Sequence, residues 1–184
     1  MAETDELVYK RYLKEHNEAD LLILLERHKE SLVLFLYSIV HNMDDAEELM
    51  LDSYAEIAAG GSFSGRSSFK TWLFSIGKHK ALMLLRKRVS WFSVEEDTED
   101  ELTAAPEMEI LNKERNQQLF QAMRGLNEEY RQVLTLLYFE EMSMEETARV
   151  MGKSRKQIYN LSDRGKKALR GELERMGFAY AQYE

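Results

Sequence analysis

The sequence predicts an all-α protein: two small helical domains joined by an acidic linker expected to be flexible, with a helix-turn-helix in the second domain. Three observations carry this reading. Apolar residues recur at helical spacing through most of the 184 residues, strand-like alternation is scarce, and Pro106 is the only proline. The acidic run EEDTEDE, inside residues 90–106, cannot bury enough apolar surface to fold by itself. Residues 143–167 place Ala148, Gly152 and Ile158 at spacings of four and six, the pattern of two short helices meeting at a sharp turn.

The first domain is expected over residues 1–89. A short helix is predicted over 4–14, with Leu7, Val8, Tyr12 and Leu13 on one side. A longer one follows over 18–41, with Leu21, Leu22, Leu25, Leu32, Phe35, Leu36 and Ile39 at helical spacing. HNMDD supplies a turn and a cap. A third helix over 44–58 turns Ala46, Leu49, Met50, Tyr54 and Ile57 inward. AAGGSFSGRSS is a Gly/Ser-rich loop. The fourth helix, 68–88, carries Phe69, Trp72, Leu73, Ile76, Leu82 and Leu85.

The linker is expected over 90–106 and the second domain over 107–184, with helices at 107–124, 127–140, 143–151 and 154–176. Asn127 is a plausible N-cap. Ser143 with Glu146 makes a capping box, and Ser154 caps the last helix. In the helix-turn-helix, the small Ala148 allows close crossing and Gly152 supplies the left-handed turn residue. Ile158 and Leu161 face the core together with Met151. The opposite face of the last helix then carries Arg155, Lys156, Gln157, Asn160, Arg164 and Lys167, side chains suited to phosphates and base edges in a major groove. An ordinary helical hairpin with a solvated charged face is the bland alternative.

A net charge of −8 argues against a DNA binder until its distribution is considered. Residues 90–114 hold nine acids and one lysine; residues 66–88 hold seven Lys/Arg and no acid; residues 152–175 hold eight Lys/Arg against three acids. Two basic patches therefore flank an acidic connector, and local patches decide where a polyanion docks. The absence of cysteine excludes disulfides and thiolate metal sites, and permits a reducing, cytoplasmic setting. No uncharged apolar run is long enough to span a bilayer, and the charged N-terminus lacks a signal core.

Several constellations suggest other chemistry and fail on it. GGSFSGRS spaces Gly60 and Gly65 as a phosphate-binding loop does, but Arg66 stands where lysine is required and the loop follows a helix rather than a strand. Asp45, Glu48, Asp52 and Glu56 lie near one helical face. However, His16, His28, His41 and His79 do not supply the Glu-x-x-His pairing of a carboxylate metal site. A protein-docking face or a solvated face fits these acids better. No Ser/His/Asp arrangement suggests catalysis, so no catalytic residue, metal or cofactor is expected. The stretch FSGRSSFKTWLFSIGKHKALMLLRKR interleaves Phe63, Phe69, Trp72 and Phe74 with Arg66, Lys70, Lys78 and Lys80. That mixture suits single-stranded DNA, where bases stack on apolar surfaces while cations follow the backbone, and a Gly/Ser loop can wrap an unstacked base. Trp72 fits core packing better than base contact, although one edge can serve each.

Taken together, DDAEELMLDSY, the FSGRSSFKTWL stretch, the acidic linker and the helix-turn-helix resemble the extracytoplasmic-function (ECF) sigma factors, two-domain members of the sigma-70 family of bacterial RNA polymerase subunits. The resemblance runs from about residue 5 to about residue 175. It implies that residues 1–89 are region 2, which docks on the β′ coiled coil of core polymerase through Asp45, Glu48 and Asp52. Phe63, Ser64, Arg66, Ser67, Lys70, Thr71 and Trp72 would handle the unpaired strand of the minus-10 element. Residues 107–184 would be region 4, reading the minus-35 element and sitting on the β-flap, while the linker threads the polymerase cleft. The implied partners are core polymerase, promoter DNA both duplex and single-stranded, and an anti-sigma factor, in a bacterial cytoplasm without membrane insertion.

The sequence departs from the family in the recognition helix, where Leu161 and Ser162 replace a frequent Arg–Leu pair and Tyr159 replaces a basic residue. These changes bear on which minus-35 sequence is read. The competing reading is a free-standing helix-turn-helix regulator, which has no need of residues 44–88. A partner-binding adaptor would have no need of the basic face at 155–167.

Overall fold

The computed structural model describes residues 3–92 and 114–177. The described residues are helical with no strand, and they separate into two compact units. The first is built on α1 (Asp5–Glu15), α2 (Glu18–Val40), α3 (Met43–Ala58) and α4 (Phe69–Phe92). The second is built on α5 (Glu114–Arg124), α6 (Glu128–Leu134), α8 (Arg155–Arg175) and the greater part of α7 (Met144–Met151). Helix α4 continues through 90–92, three residues into the segment expected as linker. The rest of that segment, and residues 107–113 of the next expected helix, lie outside the described residues.

In the first unit α2 is the central helix, packing on α1, α3 and α4. Its caps follow from sequence. The Asn17 and Asn42 side chains accept from the amides of Ala19 and Asp45 at the starts of α2 and α3. The end of α3 is a Schellman turn: Gly60 (φ 81°) donates to Ile57 O and Gly61 donates to Glu56 O. The α2–α4 crossing is close at Gly77, where a Cβ would lie 3.1 Å from Leu32 Cδ1 and 3.2 Å from Leu36 Cδ2.

Two inward faces differ from expectation. Helix α1 buries Val8, Tyr9 and Tyr12, leaving Leu7 and Leu13 exposed. The tyrosines win the inner face because their hydroxyls find carbonyl partners: Tyr9 Oη donates to Ile57 O at 3.1 Å and Tyr12 Oη to Ala58 O at 2.9 Å. In α2, Leu24 and His28 are buried while Leu22 is 58% exposed. The stripe runs through Leu24, His28 and Leu32 at four-residue steps, which turns Leu22 to solvent. His28 Nε2 lies 2.6 Å from Asp5 Oδ2, and this contact, with Arg27 second, holds the Asp5 carboxyl below the usual carboxylate range. On the far side, Arg11 bridges Asp20 and Glu3 at 2.6 Å each, so α1 is tied to α2 at both ends.

In the second unit α8 packs on α5 and α6. Helix α8 approaches α6 closely at Gly165. A Cβ at Gly165 would sit 3.3 Å from Leu134 Cγ and from Tyr130 Cβ; Ala148 of α7, expected at the α7–α8 crossing, is half-buried. The helix expected over 127–140 becomes π-helical over Thr135–Phe139, with Glu140 N–H donating to Thr135 O. The wider turn shifts the register, so Leu136 stays buried while Tyr138 and Phe139 face solvent.

Candidate nucleic-acid interface

The loop between α3 and α4 is built from its two ends inward. Gly60 and Gly65 both adopt positive φ, which their missing side chains make accessible. Phe63 folds back onto an aromatic cluster, its ring centroid 5.1 Å from Trp72, 5.8 Å from Tyr9 and 6.3 Å from Phe69. Ser64 and Arg66 are exposed and Ser67 is half-buried. At the start of α4, Ser68 Oγ accepts from Thr71 N–H at 3.2 Å and meets Thr71 Oγ1 at 2.8 Å. Thr71 is therefore turned inward, 1% exposed, and does not present its hydroxyl to a ligand. Lys70 and Trp72 are half-buried. Trp72 packs on Phe63, Phe69 and Tyr9. The first turn of α4 contains no acid of its own, so no side chain within it opposes an approaching anion.

On α3, Glu48 and Asp52 are exposed, share a face with the exposed Leu51, and make no ion pair among the described residues. Asp45 differs. Its side chain is 15% exposed, and both carboxylate oxygens meet the Arg88 guanidinium of α4 at 2.8 Å. Asp45 thus ties α3 to α4 instead of standing free for a partner. Glu56 pairs with Lys80 at 2.9 Å. No group of three or more His, Cys, Asp or Glu able to hold a metal occurs among the described residues. No described helix is long and apolar enough to cross a membrane.

The helix-turn-helix is capped as its sequence requires. Ser143 and Glu146 form the reciprocal box at the start of α7, and Gly152 (φ 64°) closes its end with Lys153 N–H on Ala148 O. Ser154 and Gln157 form a second box at the start of α8: Gln157 Oε1 accepts from Ser154 N–H at 2.8 Å. Half of the Gln157 amide is therefore committed to the fold. Ile158, Ser162 and Gly165 are buried on one side of α8, and the Ser162 hydroxyl has no hydrogen-bond partner among the described residues. Leu161, expected in the core, is half-buried. Arg155, Lys156, Asn160, Arg164 and Lys167 are all exposed, as is Tyr159 at 65%. Arg155 pairs with Glu145 at 2.8 Å, and Lys167 with Asp163 at 2.8 Å. These exposed pairs are weak and exchangeable for phosphate.

Sequence reasoning missed the inward residues that shape the loop. The Glu6 carboxylate of α1 accepts from Phe69 N–H, the first amide of α4, at 2.8 Å. Tyr9 lies among Phe63, Phe69 and Trp72. No local signal in α1 announces either contact, because both partners lie more than fifty residues away.

Comparison with known proteins places both units in one family. Residues 24–90 match the family model "Sigma-70 region 2" and residues 116–169 match "Sigma-70, region 4". RNA polymerase sigma factor YlaC of Bacillus subtilis is 26% identical over 155 residues, spanning 82% of this chain and 90% of that protein. ECF RNA polymerase sigma factor SigX of Bacillus subtilis is 27% identical over 160 residues, spanning 83% and 82% respectively. The fold is similar to that of the sigma factor RpoE solved in complex with the anti-sigma factor NepR from Bartonella quintana. The TM-score is 0.72 at 24% identity, over 84% of this chain and 97% of that one. CnrH, solved with the cytosolic domain of CnrY, gives a TM-score of 0.64 at 21% identity, over 94% of this chain and 98% of that one. With a region 2 and a region 4 on one chain and ECF factors among its relatives, the protein belongs to the sigma-70 family as an RNA polymerase sigma factor of the ECF group.

Proposed function

We propose that the two units divide the work of promoter recognition along the surfaces described above. The α3 face carrying Glu48, Leu51 and Asp52 docks on the β′ coiled coil of core polymerase. The loop 61–68, with Ser64, Arg66 and Ser67 at its surface and Lys70 and Trp72 at its rim, takes the unpaired strand of the minus-10 element. The exposed face of α8 reads the minus-35 element, with Arg155, Lys156 and Asn160 toward the bases and Arg164 and Lys167 toward phosphates. Gln157 contributes only the part of its amide that the cap leaves free. The second unit also docks on the β-flap, and the acidic residues between the units run through the polymerase cleft. The protein acts in the cytoplasm as an exchangeable specificity subunit rather than a catalyst, and it binds an anti-sigma factor, a reading supported by the complex of the sigma factor RpoE with the anti-sigma factor NepR.

The observation that carries this reading is the separation of charge by task. An unpaired acidic face lies on α3, an acid-free first turn stands behind the α3–α4 loop, and a cationic face lies opposite Ile158 and Gly165 on α8. The first suits a basic protein partner and the other two suit nucleic acid. A transcription assay with purified core polymerase, this protein and a library of promoter DNAs tests it. Selection of a two-part motif is expected; enrichment of a minus-35-like element alone, without transcription, would point to a duplex-binding regulator.

A further inference from the structure

We propose that Glu6, Tyr9 and Tyr12 of α1 are positioning residues for promoter opening: they clamp both ends of the α3–α4 loop and so set the shape of the surface that receives the unpaired strand. This rests on the reading of loop 61–68 given above. It goes beyond the match to region 2, which begins at residue 24, after α1 has ended.

At the loop's entry, Tyr12 Oη donates to Ala58 O at 2.9 Å, and Tyr9 Oη donates to Ile57 O at 3.1 Å with Gly61 O at 3.4 Å. At its exit, Glu6 Oε1 accepts from Phe69 N–H at 2.8 Å. Between them the Tyr9 ring meets Phe63, Phe69 and Trp72 at centroid distances of 5.8, 5.2 and 5.4 Å. Burial keeps the Tyr9 hydroxyl above the ordinary phenol range, so it remains a donor at any physiological pH.

The arrangement resolves a conflict. Ser68 Oγ accepts from the Thr71 amide, but the first amide of α4, Phe69 N–H, needs a further acceptor, and an acidic residue near it would supply one. Such a residue at the surface would repel the phosphates of a bound strand. The first turn of α4 has no acid. Glu6 supplies the carboxylate from α1 instead, accepting from the Phe69 amide, and the only charged residue in the first turn of α4 is Lys70. The ties of Asp5 to His28 and Arg27, and of Arg11 to Asp20, hold α1 in place to do this.

The test uses the full-length protein with core polymerase and the variants Tyr9→Phe, Tyr12→Phe, Glu6→Ala and Glu6→Gln. Three measurements are made: affinity for core, open-complex formation on duplex against pre-melted templates, and base preference at each minus-10 position. Each Tyr→Phe change removes one hydroxyl and keeps the ring, and is expected to slow opening of duplex promoters about fivefold. Glu6→Ala is expected to slow it about tenfold or more and to flatten the minus-10 preference. Glu6→Gln, which keeps a side-chain acceptor, is expected to recover most of that loss. Core affinity and minus-35 preference stay unchanged throughout.

A purely structural role would lower the thermal midpoint of all variants while leaving the minus-10 profile as in the wild type, and that result overturns the proposal. Ser64→Ala with Arg66→Ala is run alongside. If this loop variant alters the minus-10 profile while the α1 variants do not, the positioning role is overturned and the loop reading stands. If neither alters it, both are overturned.

Discussion

Separating Asp45 from Glu48 and Asp52 is a sharp test of how α3 is used. Asp45 is 15% exposed and Arg88 is 42% exposed, with 2.8 Å between Asp45 Oδ2 and Arg88 Nη1 and a second contact of 2.8 Å from Nη2 to Oδ1. An exposed pair contributes up to about 1 kcal/mol, and removing one partner of a buried pair costs about 3–5 kcal/mol. For this intermediate case, Asp45→Asn is expected to cost about 1–2 kcal/mol of stability, which leaves a domain of ordinary stability folded. Core affinity, measured on the folded protein, should change by less than about threefold, below 1 kcal/mol. Glu48→Lys with Asp52→Lys touches no ion pair, so the unfolding midpoint should barely move. It reverses two charges on the proposed docking face. At close range in a water-like medium each lost attraction or added repulsion is worth about 1 kcal/mol, for a total of about 2–4 kcal/mol. That corresponds to about 30- to 1000-fold weaker binding of core polymerase, shrinking as salt is raised. Urea denaturation and a titration of labelled protein with core polymerase read the two effects separately. If Asp45→Asn weakens core binding as much as the double reversal does, without lowering the midpoint, its carboxylate faces polymerase and the assignment to Arg88 is wrong. If the double reversal leaves affinity unchanged, α3 is not the docking face.

Other consequences can be checked independently. Asn160→Ala should relax the preference at one minus-35 position, at a cost of about 1–3 kcal/mol, whereas Lys167→Ala should weaken all sequences evenly and lower the salt slope by about 1; a promoter-variant panel across salt concentrations distinguishes them. Gln157→Ala should lower the stability of the second unit by about 1 kcal/mol, because it opens the Ser154 capping box, and denaturant melts will register this before any binding assay does. Gly171→Ala should stabilise by about 1 kcal/mol, since nothing lies within 4 Å of the added Cβ, while Gly165→Leu should destabilise by about 1–3 kcal/mol through overpacking against Leu134 and Tyr130. The Asp5 carboxyl is held below its ordinary range chiefly by His28, so its contribution is fully present above about pH 4 and is lost as pH falls through the depressed value. The stability difference between wild type and Asp5→Asn should therefore be largest on the near-neutral side and close in acid; a gap that widens on acidification would contradict the pairing.

The sequence by itself determined the helices, their caps and the basic face of α8, because each is written in residues a few positions apart. Asn42 and Asn127 cap the helices that follow them, Ser143–Glu146 closes its box, Ser154 caps α8, and Gly152 takes the left-handed turn. The motif pattern likewise carried the family. Tertiary structure alone decided which neighbour each side chain faces. Periodicity placed Leu7 and Leu22 inward on sound apolar grounds. The structure turns them out because Tyr9, Tyr12 and His28 gain hydrogen-bond partners from distant parts of the chain. Charge patterning set Asp45 beside Glu48 and Asp52, yet Arg88 claims it from forty-three positions away. The loop that looked like a flexible strip of Gly and Ser is held by Glu6 and Tyr9, whose partners are set by how α1 lies against α3 and α4. Local spacing specifies local hydrogen bonds and the face of a helix; the pairing of distant polar groups depends on which helices are brought together, and only the packed structure contains that information.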